Sequence, residues 1–301
     1  MNSPSVLCIG EAMVELSLDS EHANMAGLGY AGDTLNTAIY IHRSNPDIRV
    51  CFATKVGIDA ISERMVDFIR NEGIDTSHIS RSATRVPGIY SIATDDAGER
   101  SFTYWRELSA ARTLLQTPGL TREVLDEFSL VYLSGITLAI LTAADRHMLL
   151  EWLAAYRAQG GKVAFDSNYR PALWRDQTEA QHMVTAALQV TDIALSGIED
   201  EKALFGDRND TETIARIKGA GVTAGALKRG RLGPAGFDGG RIASEPAKHI
   251  VDSTAAGDSF NAGFLAETLV GGTEKEALEA GHALANRVLQ HRGAITPKDA
   301  A

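Results

Sequence analysis

Short, nearly continuous apolar runs recur along the chain at 6–9, 50–53, 130–133, 163–165, 193–195 and 225–227. Runs of this kind, without polar alternation, predict strands buried on both faces, as in a parallel sheet. Between them, apolar residues fall at helical spacing over 34–43, 62–72, 143–159, 178–190, 199–205 and 211–220. Strand–helix alternation predicts an α/β fold: a doubly wound, mostly parallel sheet with helices on both faces.

Two segments break the alternation. Met13–Leu18 (MVELSL) reads as a strand with no helix after it. Residues 86–106 hold two strand patterns, GIYSIATD and RSFTYWR, joined by Asp95-Asp96-Ala97-Gly98, which suits a hairpin turn. A small antiparallel sheet added to an α/β domain serves as a lid or as a surface for a second copy of the chain. The expectation is one domain over 1–301, with lid strands within about 12–30 and 86–106.

Composition narrows the partners. The chain has 301 residues, 29 Lys+Arg against 39 Asp+Glu, and a net charge of −10. That balance argues against nucleic acid or an anionic membrane as partner, since both need a basic surface. Cys8 and Cys51 sit in apolar runs and read as buried thiols in a reducing compartment. The N-terminus has no basic region ahead of an apolar stretch, so no signal peptide is read there. The longest apolar run, 130–141, is broken by Ser134, Gly135 and Thr137 and falls short of the ~18 residues of a membrane span. A cytoplasmic protein is expected.

Gly27-Leu28-Gly29-Tyr30-Ala31-Gly32 matches G-x-G-x-x-G literally. It follows a polar stretch rather than a strand, so it is not read as a dinucleotide fingerprint. The segment Asp252-Ser253-Thr254-Ala255-Ala256-Gly257-Asp258 is more informative. Small residues there let a ligand approach the backbone, and a helix starting there aims unpaired N–H groups at an anion. Asp258 in its first turn suits the helix dipole equally well as it suits a base beside a phosphate cradle.

DSTAAGDSF resembles the C-terminal signature of the ribokinase-like (PfkB) carbohydrate kinases, D-T-x-[GA]-A-G-D, with Ser253 in place of Thr. Ala31-Gly32-Asp33-Thr34-Leu35-Asn36 is similar to the family's Gly-Gly-Asp-x-x-Asn run, with Ala31 replacing the first glycine. Lys228-Arg229-Gly230-Arg231-Leu232-Gly233 resembles its K-x-G-x-x-G segment, and Arg292-Gly293-Ala294 its terminal helix exit. The resemblance implies phosphoryl transfer from ATP to a sugar hydroxyl. Asp258 is then the base, the backbone of Ala255, Ala256 and Gly257 the anion hole, and Gly32, Asp33 and Asn36 the sugar contacts. It further implies Ser196, Lys228, Gly230, Gly233 and Gly257 along the nucleotide, Glu199 toward Mg²⁺, and a monovalent cation, K⁺, beside Asp252. Glu199, Asp200 and Glu201 also suit an exposed helix start.

Within the family, CIGEAMVELS, VPGIYSIATDDAGERSFTYWR and DSNYRPALW resemble the branch that phosphorylates 2-keto-3-deoxygluconate, a sugar acid. The residue types fit such a substrate. On a strand, Phe102, Tyr104 and Arg106 share one face, and Tyr90 on the partner strand joins them. Arginine is the preferred carboxylate partner because its planar fork donates two parallel hydrogen bonds. Arg106 and Arg170 are the candidates, although a lid arginine read alone is a solvated charge. A fructokinase or other neutral-sugar kinase, a nucleoside kinase of the family, and a catalytically silent sugar-binding protein are the alternatives. The exposed edge expected of the small sheet also invites a homo-oligomer.

Overall fold

The computed structural model describes residues 4–18, 25–94, 100–242 and 250–298. The predicted turn at 95–98 lies outside them. In chain order the elements are β1 (Ser5–Ile9), β2 (Met13–Leu18), β3 (Ala26–Ala31), α1 (Asp33–Ser44), β4 (Arg49–Val56) and α2 (Ala60–Asn71). Then follow β5 (Ile79–Arg81), β6 (Gly88–Thr94), β7 (Arg100–Trp105), α3 (Arg122–Leu125), β8 (Leu130–Ser134), α4 (Gly135–Ile140), α5 (Ala143–Ala158) and β9 (Lys162–Asp166). The last are α6 (Gln177–Gln189), β10 (Ile193–Gly197), α7 (Ile198–Phe205), α8 (Asp210–Gly219), β11 (Ala224–Lys228), β12 (Ala235–Gly236), α9 (Ala256–Leu269) and α10 (Glu274–Val288).

Eight strands form the main sheet in the order β12-β11-β10-β9-β8-β1-β4-β5. All its neighbours are parallel except β11 and β12. Each strand of the sheet's centre is buried along nearly its whole length, as the unbroken apolar runs require. From β1 the chain moves outward through β4 to β5, and from β8 it moves the other way. The order therefore reverses between β1 and β8, and ligands of such sheets bind in the crevice at the strands' carboxyl ends there.

Two apolar cores cover the two faces of this sheet. One gathers Leu133, Leu149, Phe165 and Val184; the other gathers Ile39, Phe52, Leu265 and Leu278. In the second core α9 crosses α10 at contact distance. A Cβ on Gly263 would lie 2.7 Å from the Ala280 carbonyl oxygen, and one on Gly281 would lie 2.7 Å from that of Phe260. These glycines let α9 sit deep enough for its first turn to reach the strand ends.

β2, β3, β6 and β7 form a separate four-stranded sheet in the order β3-β2-β6-β7. Only the β2–β6 pair is parallel. The G-x-G-x-x-G segment falls in β3 and its exit, so it opens no nucleotide-binding turn. Among the described residues no helix is long and apolar enough to cross a membrane.

Candidate functional site

A cavity of about 750 Å³ lies between the carboxyl ends of the main sheet and the inner face of the small sheet. Glu11 after β1, Asp166 ending β9 and Asn168 after it, Gly197 ending β10 and Asp200 in α7, and Lys228 ending β11 line it from below. Tyr90, Phe102, Tyr104 and Arg106 close it from the small sheet, and Ala255, Gly257 and Asp258 enter from α9. A sheet hydrogen-bonded through β6 and β7 presents alternate residues on one face. That is how Tyr90, directly opposite Tyr104, comes to share the cavity with Phe102 and Arg106. The rings of Tyr90 and Tyr104 stack with centroids 5.8 Å apart.

Ala255 caps α9 in the left-handed region, at φ 59°. A non-glycine residue there is strained, and the strain turns the first helical turn toward the cavity. Asp258 follows within that turn and accepts a hydrogen bond from Asn36 Nδ2 at 2.8 Å. Burial, and then the nearby Asp33 carboxylate, raise the Asp258 carboxyl to about 7; the Asn36 bond and Lys228 oppose the rise. A carboxylate poised there changes protonation state at neutral pH, as a general base must.

Asn36 spends its amide on this geometry: Oδ1 accepts from Gly32 N at 3.3 Å while Nδ2 holds Asp258. Gly32 itself stands so close to the chain after β1 that a Cβ would lie 2.0 Å from the Glu11 carbonyl oxygen. Asp33 is anchored at Oδ2 by Ser134 Oγ (2.5 Å) and Asn168 Nδ2 (2.8 Å). Lys228 Nζ bonds Asp166 Oδ2 (2.7 Å) and Asn261 Oδ1 (3.0 Å), and Asn261 returns a bond to the same Asp166 oxygen. Asp166 and Asn168 lie in DSNYRPALW, and Asn261 directly follows DSTAAGDSF, but sequence reading gave none of the three a role. Asn168 sits at φ 32°, a conformation that asparagine tolerates better than most residues.

On the lid side, Tyr90 donates its hydroxyl hydrogen to Glu15, and burial and that carboxylate push its phenol far up. Tyr90 therefore offers ring and oxygen lone pairs to a ligand rather than a proton. Arg106 is buried and ion-paired through Nη2 to Glu11, which sequence reading passed over. Arg170 lines the cavity half exposed, with Nη1 shared between the Tyr169 carbonyl and Asp200 at 3.3 Å. Burial raises the Asp200 carboxyl, with Arg170 opposing.

A second, mostly apolar cavity of about 300 Å³ adjoins the first through Lys228, Ser253 and Gly257. Gly230, Phe260, His282 and Leu289 line it, which suits a flat apolar group attached to an anion. Several expected contacts fall elsewhere. Ala256 lines this cavity, and its N–H donates to the Ser253 carbonyl at 3.3 Å instead of joining an anion hole. Ser196 is fully buried on β10 and lines neither cavity. Gly233 also lies outside both; its carbonyl accepts from Arg229. Glu199 is exposed and paired with Lys202, because helical spacing turns it outward; Asp200, the next residue, faces the cavity. Asp252 fastens two loops, Oδ1 accepting from Thr254 and Oδ2 from Gly293 N at 2.6 Å.

Comparison with known proteins accords with this geometry. The chain is 42% identical over 308 residues to 2-dehydro-3-deoxygluconokinase of Escherichia coli K12, with 99% of each chain covered. It is 42% identical over 310 residues to 2-dehydro-3-deoxygluconokinase of Dickeya dadantii, with 100% of this chain and 99% of the relative covered. The crystal structure of a PfkB protein from Polaromonas sp. JS666 superposes with a TM-score of 0.85 at 26% identity, over 96% of both chains. The description "pfkB family carbohydrate kinase" matches residues 3–301, so the resemblance seen in separate motifs extends through the whole fold, and this chain belongs to that family.

Proposed function

We propose that the protein transfers the γ-phosphoryl group of ATP to the C6 hydroxyl of 2-keto-3-deoxygluconate. One observation carries the reading furthest: Asp258, its carboxyl raised to about 7, opens a helix at the junction of the two cavities, and a buried arginine stands across the larger one. The relatives at 42% identity bear the name of this activity.

The sugar acid lies in the larger cavity with its carboxylate toward Arg106 and Arg170 and its C6 end toward Asp258. Two arginines on the carboxylate favour an acid over a neutral ketose. Asp258 removes the proton from the C6 hydroxyl, and O6 forms a bond to the γ-phosphorus as the bond to the β–γ bridging oxygen breaks. ADP leaves, and the proton remains on the Asp258 carboxyl. The first turn of α9, with Gly257, faces the transferring group, where unpaired helix N–H groups stabilise negative charge. Lys228, which lines both cavities, adds a positive charge beside the phosphates. The small sheet keeps water from the phosphoryl group.

The described residues gather no cluster of three or more His, Cys, Asp or Glu able to hold a metal. They fit a divalent ion that arrives on the nucleotide, because Mg²⁺ binds through substrate phosphates with one or two carboxylates. Asp200 and Asp166 are the cavity carboxylates that would hold it, and it would neutralise charge on the phosphate oxygens.

The test is product identification. With ATP, Mg²⁺ and 2-keto-3-deoxygluconate, ³¹P NMR should show one new phosphomonoester coupled to the C6 methylene protons, formed in step with ADP. Absence of an ATP-dependent phosphomonoester would overturn the proposal.

A further inference from the structure

Glu11 is the least explicable charge in the acceptor pocket. Its side chain is 1% exposed, yet it lines the cavity. Oε2 receives Arg106 Nη2, and Oε1, equally buried, has no hydrogen-bond partner. Buried polar atoms are nearly always bonded, and an unmet carboxylate oxygen is among the costliest to leave. Gly88 keeps that oxygen clear, since a Cβ there would lie 2.8 Å from Oε1. Positive charge surrounds the pair: Arg112 interacts favourably with Glu11 and unfavourably with Arg106, Arg146 and Arg85. Glu11 thus sits in a cationic setting at the cavity wall, with Oε2 committed to Arg106 and Oε1 without a partner.

We propose that Glu11 determines acceptor specificity, orienting the Arg106 fork through Oε2 and receiving the C4 or C5 hydroxyl of the sugar acid on Oε1. This rests on the sugar-acid reading above. A carboxylate offers acceptors only, so it rewards a hydroxyl at that position and penalises a carboxylate or carbonyl placed there. With Arg106 fixed beside it, the pocket reads the acid group and a neighbouring hydroxyl as a pair. Sites built to bond a particular hydroxyl reject analogues that lack it more strongly than apolar pockets reject shape changes.

The experiment compares wild type and E11Q with 2-keto-3-deoxygluconate and its 4-deoxy and 5-deoxy analogues, by steady-state kinetics and by calorimetric binding. In E11Q the single amide oxygen is claimed by Arg106, so an N–H group faces the sugar. KM for 2-keto-3-deoxygluconate should rise about 10-fold, with kcat within about 3-fold and KM for ATP unchanged. One deoxy analogue should bind wild type about 10-fold more weakly than the parent, and that penalty should shrink in E11Q, where a neutral N–H bond to the hydroxyl oxygen replaces the charge-assisted one. Equal binding of all three acceptors by wild type overturns the proposal, and this arm stands even if E11Q does not fold. An unchanged KM in folded E11Q, or a deoxy penalty undiminished in it, overturns it as well. If wild type does not phosphorylate the parent acid, the functional reading fails first, and the two failures are told apart.

Discussion

Asp258→Asn should lower kcat by about 10³-fold while leaving KM for the sugar acid within a few-fold, since a positioned base contributes about 10²–10⁴. Asparagine keeps the shape and the acceptor that Asn36 Nδ2 bonds at 2.8 Å, so the loss reports proton transfer rather than collapse of the turn. The pH profile gives the same assignment independently. With the carboxyl raised to about 7, wild-type kcat/KM should fall as pH drops through that value, because only the ionised form accepts a proton. D258N should lack this limb.

Stability should move the opposite way. The Asp258 carboxyl is raised in the folded protein from its ordinary 3.8 to about 7, so its contribution to folding is most favourable below the ordinary value and declines as pH rises through about 7. At pH 8 wild type carries the whole cost of a desolvated carboxylate beside Asp33, and D258N should melt higher. Near pH 4 the difference should close. A base essential to turnover yet costly to the fold is the usual balance at an active site.

Arg106→Gln should raise KM for the sugar acid by about 100-fold, the worth of a charge-assisted fork at about 1.5–3 kcal/mol. kcat should change little, because the reacting hydroxyl is at the other end of the substrate. Fructose turnover should be nearly indifferent. The same substitution leaves Glu11, with a side chain 1% exposed, without its cation, and removing one partner of a buried pair costs about 3–5 kcal/mol. R106Q should therefore melt well below wild type, and E11Q/R106Q should regain much of that stability without regaining affinity. Equal KM values for R106Q and wild type would remove Arg106 from the carboxylate site.

The legible parts of this protein are those whose physics is local. Unbroken apolar runs marked the central strands because both their faces are covered, and the gap after Met13–Leu18 marked the second sheet because no crossover helix follows. β5 stayed hidden because Ile79–Arg81 is too short to show a period. α10 had a readable start in Thr273 and Glu276, whose reciprocal bonds form a capping box, yet it went unread. In the site, the segments around Asp33 and Asp258 were visible as continuous motifs. Glu11, Asp166 and Asn168 lay in the quoted segments CIGEAMVELS and DSNYRPALW, yet they, Asp200 and Asn261 were given no site role, since the ends of separate strands and α9 bring them together and no spacing along the chain records that. Glu199 was named over Asp200 on the family resemblance alone; a helix start admits either, and only the turn of α7 decides which carboxylate faces inward.

The central claim is that the pocket selects a sugar by its carboxylate and phosphorylates it through Asp258. The most direct measurement is the ratio of kcat/KM for 2-keto-3-deoxygluconate to that for fructose, with ATP saturating and ADP release coupled to a readout. A preference of about 100-fold or more for the acid is expected, the worth of its arginine contacts. A ratio near one, or a preference for fructose, would contradict it.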